Sequence, residues 1–81
     1  MDRYDIRRGV LDALLTIAPE VDPQSLRDAQ LLREQVDLDS MDWLSVLVGL
    51  HQRFGVEIPE SDYGRLATLA QIVDYLAARV R

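Results

Sequence analysis

The order of apolar and polar residues along the chain predicts helices and little else. From about Asp5 to Ala18, Ile6, Val10, Leu14 and Ile17 recur at helical spacing, Leu11 and Leu15 widen the stripe, and Arg7, Arg8 and Asp12 lie opposite. Pro19 ends this pattern, and the turn-rich Pro19-Glu-Val-Asp-Pro23 opens a connection of about twenty residues. A connection that long in a compact domain is usually functional or conceals a short helix; Leu26, Leu31, Leu32, Val36 and Leu38 are its candidate core anchors. A second helix reads from Ser40 to Phe54, with Asp39 as N-cap, Asp42 three residues later in a near capping-box position, and Gly55 as C-cap. A short third helix is predicted from Pro59 to Gly64. The last helix starts at Thr68, where Thr68-Leu-Ala-Gln71 reads as a capping box. It runs to about Val80 with Leu69, Ile72, Val73, Leu76 and Val80 on one stripe. Val56-Glu57-Ile58 alternates, but is too short to predict a strand. The expectation is an all-α fold, a small bundle of three main helices plus one short helix, in a single domain over residues 1–81.

Composition narrows what such a bundle can do. A chain of 81 residues buries roughly 60–65% of its unfolded surface, a viable core with no room for a deep enzyme cleft. No apolar run approaches the ~18 residues of a membrane-spanning helix, so no membrane insertion is expected. The opening Met1-Asp2-Arg3-Tyr4-Asp5 lacks the basic start and apolar run of a secretory signal, which predicts a cytoplasmic protein. With no cysteine and one histidine, His51, the chain has no disulfide, thiolate nucleophile, zinc-thiolate site or two-histidine metal motif. These exclusions point away from an enzyme. The net charge is −5, concentrated in residues 34–62, which hold seven acids against one base, Arg53. An acidic middle repels nucleic acid and anionic membranes and favours a basic protein surface. All nine bases are arginine, and nothing in the pattern explains that choice.

The second helix carries most of the information. Placed at about 100° intervals, Trp43, Val46, Leu47, Leu50 and Phe54 share a core-facing side, while Asp42, Ser45, Gly49, Gln52 and Arg53 form a polar one. Met41, Leu44 and Val48 form a further apolar strip that a surface helix of a minimal domain does not need. It either packs against the long connection or docks another protein. Ser40 stands at the foot of this helix. By itself Asp39-Ser40 reads as a helix start, and His51, three turns along, is too far to activate Ser40 as a nucleophile. Lone His51 reads as a solvated helix residue. Asp39 and Asp42 are exposed acids that bind a divalent metal weakly without a ligand phosphate. If Ser40 takes part in chemistry, it does so as the substrate of another enzyme.

Leu38-Asp39-Ser40-Met41-Asp42 resembles the Asp-Ser-Leu/Met motif of acyl carrier proteins. The resemblance spans nearly the whole chain: a first helix, a long loop, the motif helix, Phe54-Gly-Val-Glu-Ile-Pro59, a short acidic helix, and Arg65-Leu-Ala-Thr-Leu69 leading to Asp74-Tyr75-Leu76. The resemblance implies that Ser40 accepts 4′-phosphopantetheine from coenzyme A through a separate phosphopantetheinyl transferase with magnesium. The arm's thiol then holds acyl groups as thioesters. It makes Asp39 the motif acid, and assigns Met41, Asp42, Leu44, Val48 and Glu60 to partner docking and Trp43, Val46 and Leu50 to an acyl pocket. The partners implied are the transferase and the enzymes that load and remove acyl groups, serving a monomer in fatty-acid, polyketide or lipid synthesis.

Several positions depart from the common pattern of that family. Asp37 stands where glycine is usual, an acid expected near Gln35 is missing, and Ser45, His51 and Gln52 replace glutamates offered to basic enzymes. Trp43 takes the place of a small residue at the acyl pocket. These departures leave the carrier role intact and suggest a specialised pathway. The rival readings are a peptidyl or aminoacyl carrier protein, an unmodified helical adaptor docking through Met41, Leu44 and Val48, and a small hydrolase using Ser40.

Overall fold

Asp2, rather than a residue near Asp5, starts the first helix. In the computed structural model, which describes residues 1–80, α1 spans Arg3–Ile17, and the Asp2 carboxylate accepts the Asp5 amide at 2.8 Å. This N-cap satisfies one orphan N–H and sets a negative charge at the positive end of the helix dipole. Ile6, Val10, Leu11, Ala13 and Leu14 are buried, whereas Leu15 and Ile17 lie half-buried at the stripe's edge.

The connection after Pro19 conceals short helical elements. A 3-10 turn forms at Pro23–Ser25 under an Asp22 cap, and one turn of α-helix, α2, forms at Leu32–Gln35. Leu26, Leu32, Val36 and Leu38 anchor it in the core as expected, but Leu31 remains 44% exposed. Leu31 contributes its backbone instead, bridging to Thr68, while the next amide, Leu32 N–H, donates to the Ala67 carbonyl at 2.9 Å. The Ala70 amide donates in turn to the Asp28 carbonyl at 3.0 Å, so the connection is tied to the start of the last helix.

Helix α3 spans Ser40–Phe54, and Gly55 closes it with φ 65°, a left-handed conformation that costs glycine little. A second 3-10 turn covers Glu60–Arg65 in place of the predicted helix from Pro59. Pro59 serves as its N-cap residue, outside the turn. Helix α4 spans Leu69–Ala77 behind the predicted capping box: the Thr68 Oγ1 accepts the Gln71 amide at 3.1 Å and the Gln71 Oε1 accepts the Thr68 amide at 3.0 Å. It ends before Val80 because the Arg79 and Val80 amides both donate to the Leu76 carbonyl, which tightens and closes the last turn. Val80 still packs half-buried against the core.

The result is an all-α bundle in which α1 packs against both α3 and α4, and no strand forms among the described residues. A close approach fixes one corner: a Cβ on Gly9 of α1 would sit 2.5 Å from the Phe54 ring tip. The inter-element ion pairs, Arg3 with Asp74, Arg7 with Asp28 and Arg53 with Asp12, are all substantially exposed. Pairs of that kind contribute about 0–1 kcal/mol each, so the apolar interior holds the fold.

Candidate functional site at the foot of helix α3

The segment that delivers the chain to Ser40 alternates inward and outward. Val36 and Leu38 are buried while Asp37 and Asp39 are exposed, so the two leucine-class anchors hold an extended strap and turn the acids to water. Asp39 has extended backbone angles, φ −79° and ψ 179°, and its carboxylate accepts the Asp42 amide at 2.8 Å. Its carbonyl takes the Trp43 amide at 2.9 Å. Asp42 gives its amide to this cap but, among the described residues, no reciprocal side-chain bond. An Asp is shorter than the Glu of a full capping box.

Ser40 is thereby the first residue of a 15-residue helix, exposed, at the positive end of its dipole. Among the described residues its hydroxyl has no hydrogen-bond partner, and no histidine lies near it. His51 is engaged elsewhere: its Nδ1 lies 2.8 Å from the Val56 carbonyl. A carbonyl only accepts, so Nδ1 carries the proton in that contact. The sequence reading of His51 as merely solvated missed this tie, since nothing in helical spacing announces a contact beyond Gly55.

Burial decides between the two roles open to the second apolar strip. Met41 is 75% exposed, Leu44 45% and Val48 51%, so the strip faces solvent and does not cover the connection. Asp42 adjoins it half-buried at the helix foot, and Glu60 is exposed on the second 3-10 turn. Trp43, Val46 and Leu50 are all in the core layer, with Val46 at 1% and Leu50 at 0% exposure. Trp43 also lines a surface cleft with Leu31, Arg33, Tyr63 and Leu66.

Two arrangements missed by sequence reasoning hold the site's surroundings. The side-chain amide of Gln35 accepts the Arg27 amide at 2.7 Å and donates to the carbonyls of Arg27 and Gln30 at 2.9 and 3.0 Å. One side chain thus staples the loop that precedes the strap, and only a group that both donates and accepts can do it. Across the molecule, the Tyr75 hydroxyl donates to the Asp62 carboxylate at 2.6 Å, latching the second 3-10 turn to α4. Burial and this bond raise the Tyr75 phenol above its ordinary pKa. The Arg79 guanidinium covers the same ring at 3.6 Å from its centroid. On the opposite flank, the Arg7 hydrogen bond holds the Asp28 carboxyl below its ordinary value.

Comparison with known proteins agrees with this geometry. Residues 9–76 match the family model described as a phosphopantetheine attachment site. Over 72 residues the chain is 31% identical to an acyl carrier protein of Campylobacter concisus, covering 89% of this chain and 87% of that protein. Over 60 residues it is 30% identical to one of Thermosynechococcus vestitus, covering 74% of each. The fold superposes with a TM-score of 0.83 on the solution structure of a provisionally assigned acyl carrier protein from Anaplasma phagocytophilum, at 26% identity over 96% of this chain and 91% of that one. An exposed serine with a free hydroxyl at a helix N-terminus suits a covalently attached phosphate. The cofactor is accordingly a covalent 4′-phosphopantetheine, and the protein is a carrier, not an enzyme, working with a phosphopantetheinyl transferase and acyl-handling enzymes. The chain belongs to the acyl carrier protein family.

Proposed function

We propose that Ser40 is the attachment residue and that this single domain delivers acyl thioesters to the enzymes of a specialised pathway. The observation that carries the reading is the exposed Ser40 hydroxyl, capped in place by Asp39 and adjoining the uncovered strip of Met41, Leu44 and Val48. When attached, the arm supplies a thiol that holds acyl groups as thioesters. The chain's own residues do the rest. Asp39 fixes the helix start, so the Ser40 Oγ is presented in one place. The dipole of α3 stabilises the phosphodiester charge at that point. Met41, Leu44 and Val48 give partner enzymes an apolar footing whose binding depends weakly on salt. Asp39 and Asp42 at the foot of α3, and Glu60 on the second 3-10 turn, offer charge to basic surfaces.

The specialised pathway is supported by charge and by bulk. Ser45, His51 and Gln52 leave the middle of α3 without an acid, and Trp43 occupies core volume one turn from Ser40. Mass spectrometry of the chain before and after treatment with coenzyme A, magnesium and a broad-specificity transferase tests the assignment. One phosphopantetheine is expected on Ser40, with Ser40→Ala unmodified and equally helical by circular dichroism. A wild-type chain left unmodified by several transferases would sink the reading.

A further inference from the structure

The cleft beside Trp43 contains an arginine that the fold does not use. Arg3, Arg7, Arg53 and Arg65 pair with carboxylates, and Arg8 and Arg79 lie over tyrosine rings. Arg33, like Arg27, has neither kind of partner among the described residues, but Arg33 alone of the two lines a cleft, of about 220 Å³, whose other walls include Leu31, Trp43, Tyr63 and Leu66. No acid lines this cleft, whereas the neighbouring one, which shares Tyr63 and includes Val48 and His51, contains Glu57. Trp43 stands three residues from Ser40 on the same helix, about 4.5 Å along its axis and some 60° around it.

The resemblance already implies an acyl pocket at Trp43; we infer that Arg33, which lines the same cleft, makes it selective for a short acyl cargo of the Ser40 arm ending in a carboxylate that pairs with the guanidinium. The inference rests on Ser40 being the attachment residue. Its physical basis is the combination of walls. Trp43, Leu31 and Leu66 can cover a few methylenes, and the exposed guanidinium of Arg33 adds donors matched to a carboxylate in a cleft that no acid lines. Size sets the length, since 220 Å³ lies below the ~300–1,000 Å³ of sites for drug-sized ligands. Val46 and Leu50, at 1% and 0% exposure, are packed into the core, so a group docking beside Trp43 meets the cleft before it meets the interior.

The chain's one tryptophan is Trp43, so its fluorescence reports on this cleft directly. Arms transferred from glutaryl-, valeryl- and benzoyl-coenzyme A differ in the end group at comparable size, and mass spectrometry shows whether each has loaded on Ser40. The glutaryl arm is expected to shift Trp43 emission and to dock about fivefold more favourably than the valeryl arm. That ratio is worth about 1 kcal/mol and raises Tm by about 4–8 °C in a domain of this size. Arg33→Gln should remove the advantage of the glutaryl arm and leave the valeryl arm unchanged, and Arg33→Glu should reverse it. Arg33 is exposed, so both variants should fold, which their circular dichroism verifies. Equal glutaryl and valeryl effects, persistence of the difference in Arg33→Gln, or a larger response to benzoyl would overturn the inference while leaving the carrier assignment standing. Failure of every arm to load on Ser40 would overturn both.

Discussion

Exchanging the side-chain amide of Gln35 for a carboxylate is expected to cost about 1–3 kcal/mol at pH 7. In the native chain the Gln35 Oε1 accepts the Arg27 amide at 2.7 Å, and Nε2 donates to the Arg27 and Gln30 carbonyls at 2.9 and 3.0 Å. Gln35→Glu keeps the first bond and strengthens it with charge, but an ionised carboxylate has no proton for the other two. Each lost bond is worth about 0.5–1.5 kcal/mol, and an oxygen now faces two carbonyl oxygens. Gln35 is half-buried, so water relieves part of the conflict and favours the lower half of the range. For a domain of this size a loss of 1 kcal/mol lowers Tm by about 4–8 °C. The variant also makes a signed prediction with pH. Only the protonated carboxyl can donate to a carbonyl, so the native state raises the pKa of the introduced group above its unfolded value of about 4.3. The stability this recovers is fully present below the unfolded value and is lost as pH rises through the raised native one. Urea denaturation followed by circular dichroism, run on both proteins at about pH 4 and pH 7, should show the deficit shrinking in acid. A deficit below about 0.5 kcal/mol at pH 7, within the usual range for a neutral surface change, would refute the staple. So would a deficit that does not shrink in acid.

Gly9→Ala gains up to about 1 kcal/mol of helix propensity but overpacks the Phe54 ring at a cost of about 1–3 kcal/mol. A net loss is expected in thermal melts, relieved when Phe54→Leu is added; a stabilised single variant would refute the close contact. Asp39→Ala should lose about 1 kcal/mol in urea denaturation and Asp39→Ser much less, because serine also caps a helix. Tyr75 has its phenol pKa raised by burial and by its bond to Asp62. Its contribution is therefore present below the unfolded value of about 10 and lost as pH rises through the native one. Alkaline melts should thus fall more steeply for wild type than for Tyr75→Phe. With a general malonyl transferase, steady-state turnover should be poor and improve about tenfold in the variant combining Ser45→Glu with Gln52→Glu, because rim ion pairs add about 0.2–1 kcal/mol each. Equal efficiency of wild type and a typical acyl carrier protein, falling equally with salt, would show no specialisation by charge.

What was legible in the sequence was what local chemistry dictates. The limits of α3 follow from Asp39 and Gly55, the start of α4 from Thr68 and Gln71, and the existence of a second apolar strip from the spacing of Met41, Leu44 and Val48, although its exposure to solvent is seen only in the structure. Each depends on residues within one or two turns of one another. The misses depend on distant partners. Leu31 looked like a core anchor because it is apolar, but its backbone is engaged by Thr68 and Leu32 takes the buried place. Gln35 looked like a missing acid, although three bonds reaching back to Arg27 and Gln30 require an amide. His51 is exposed as expected, but its bond to Val56 went unread because that partner lies beyond the helix cap. The Trp43 cleft is assembled from α2, α3 and the second 3-10 turn, so periodicity within one helix could not show it.

The departures from the family's usual pattern sort by what each surface must recognise. At the foot of α3, Asp39 and Asp42 remain acids, the charge that a transferase would meet under the proposed attachment at Ser40. Along the middle, Ser45 and Gln52 are exposed and neutral beside the apolar strip, so a partner docking there as proposed gains contact area without charge to steer it. On the flank, Arg33, Trp43 and Tyr63 shape the cleft one turn from Ser40 without disturbing the core, since Leu32, Leu47 and Leu66 stay at 1–2% exposure. Stability depends on the buried stripe and the caps, and the proposed partner and cargo choice depends on side chains outside both. The two sets barely overlap. Exposed positions such as Arg33, Ser45 and Gln52 can therefore change recognition at a stability cost within about 0.5 kcal/mol, the usual range for surface substitutions. Trp43 is the residue that belongs to both sets: it is 9% exposed in the core layer and also lines the cleft. Under the proposal, an exchange there changes packing and cargo together, whereas one at Arg33 separates the two.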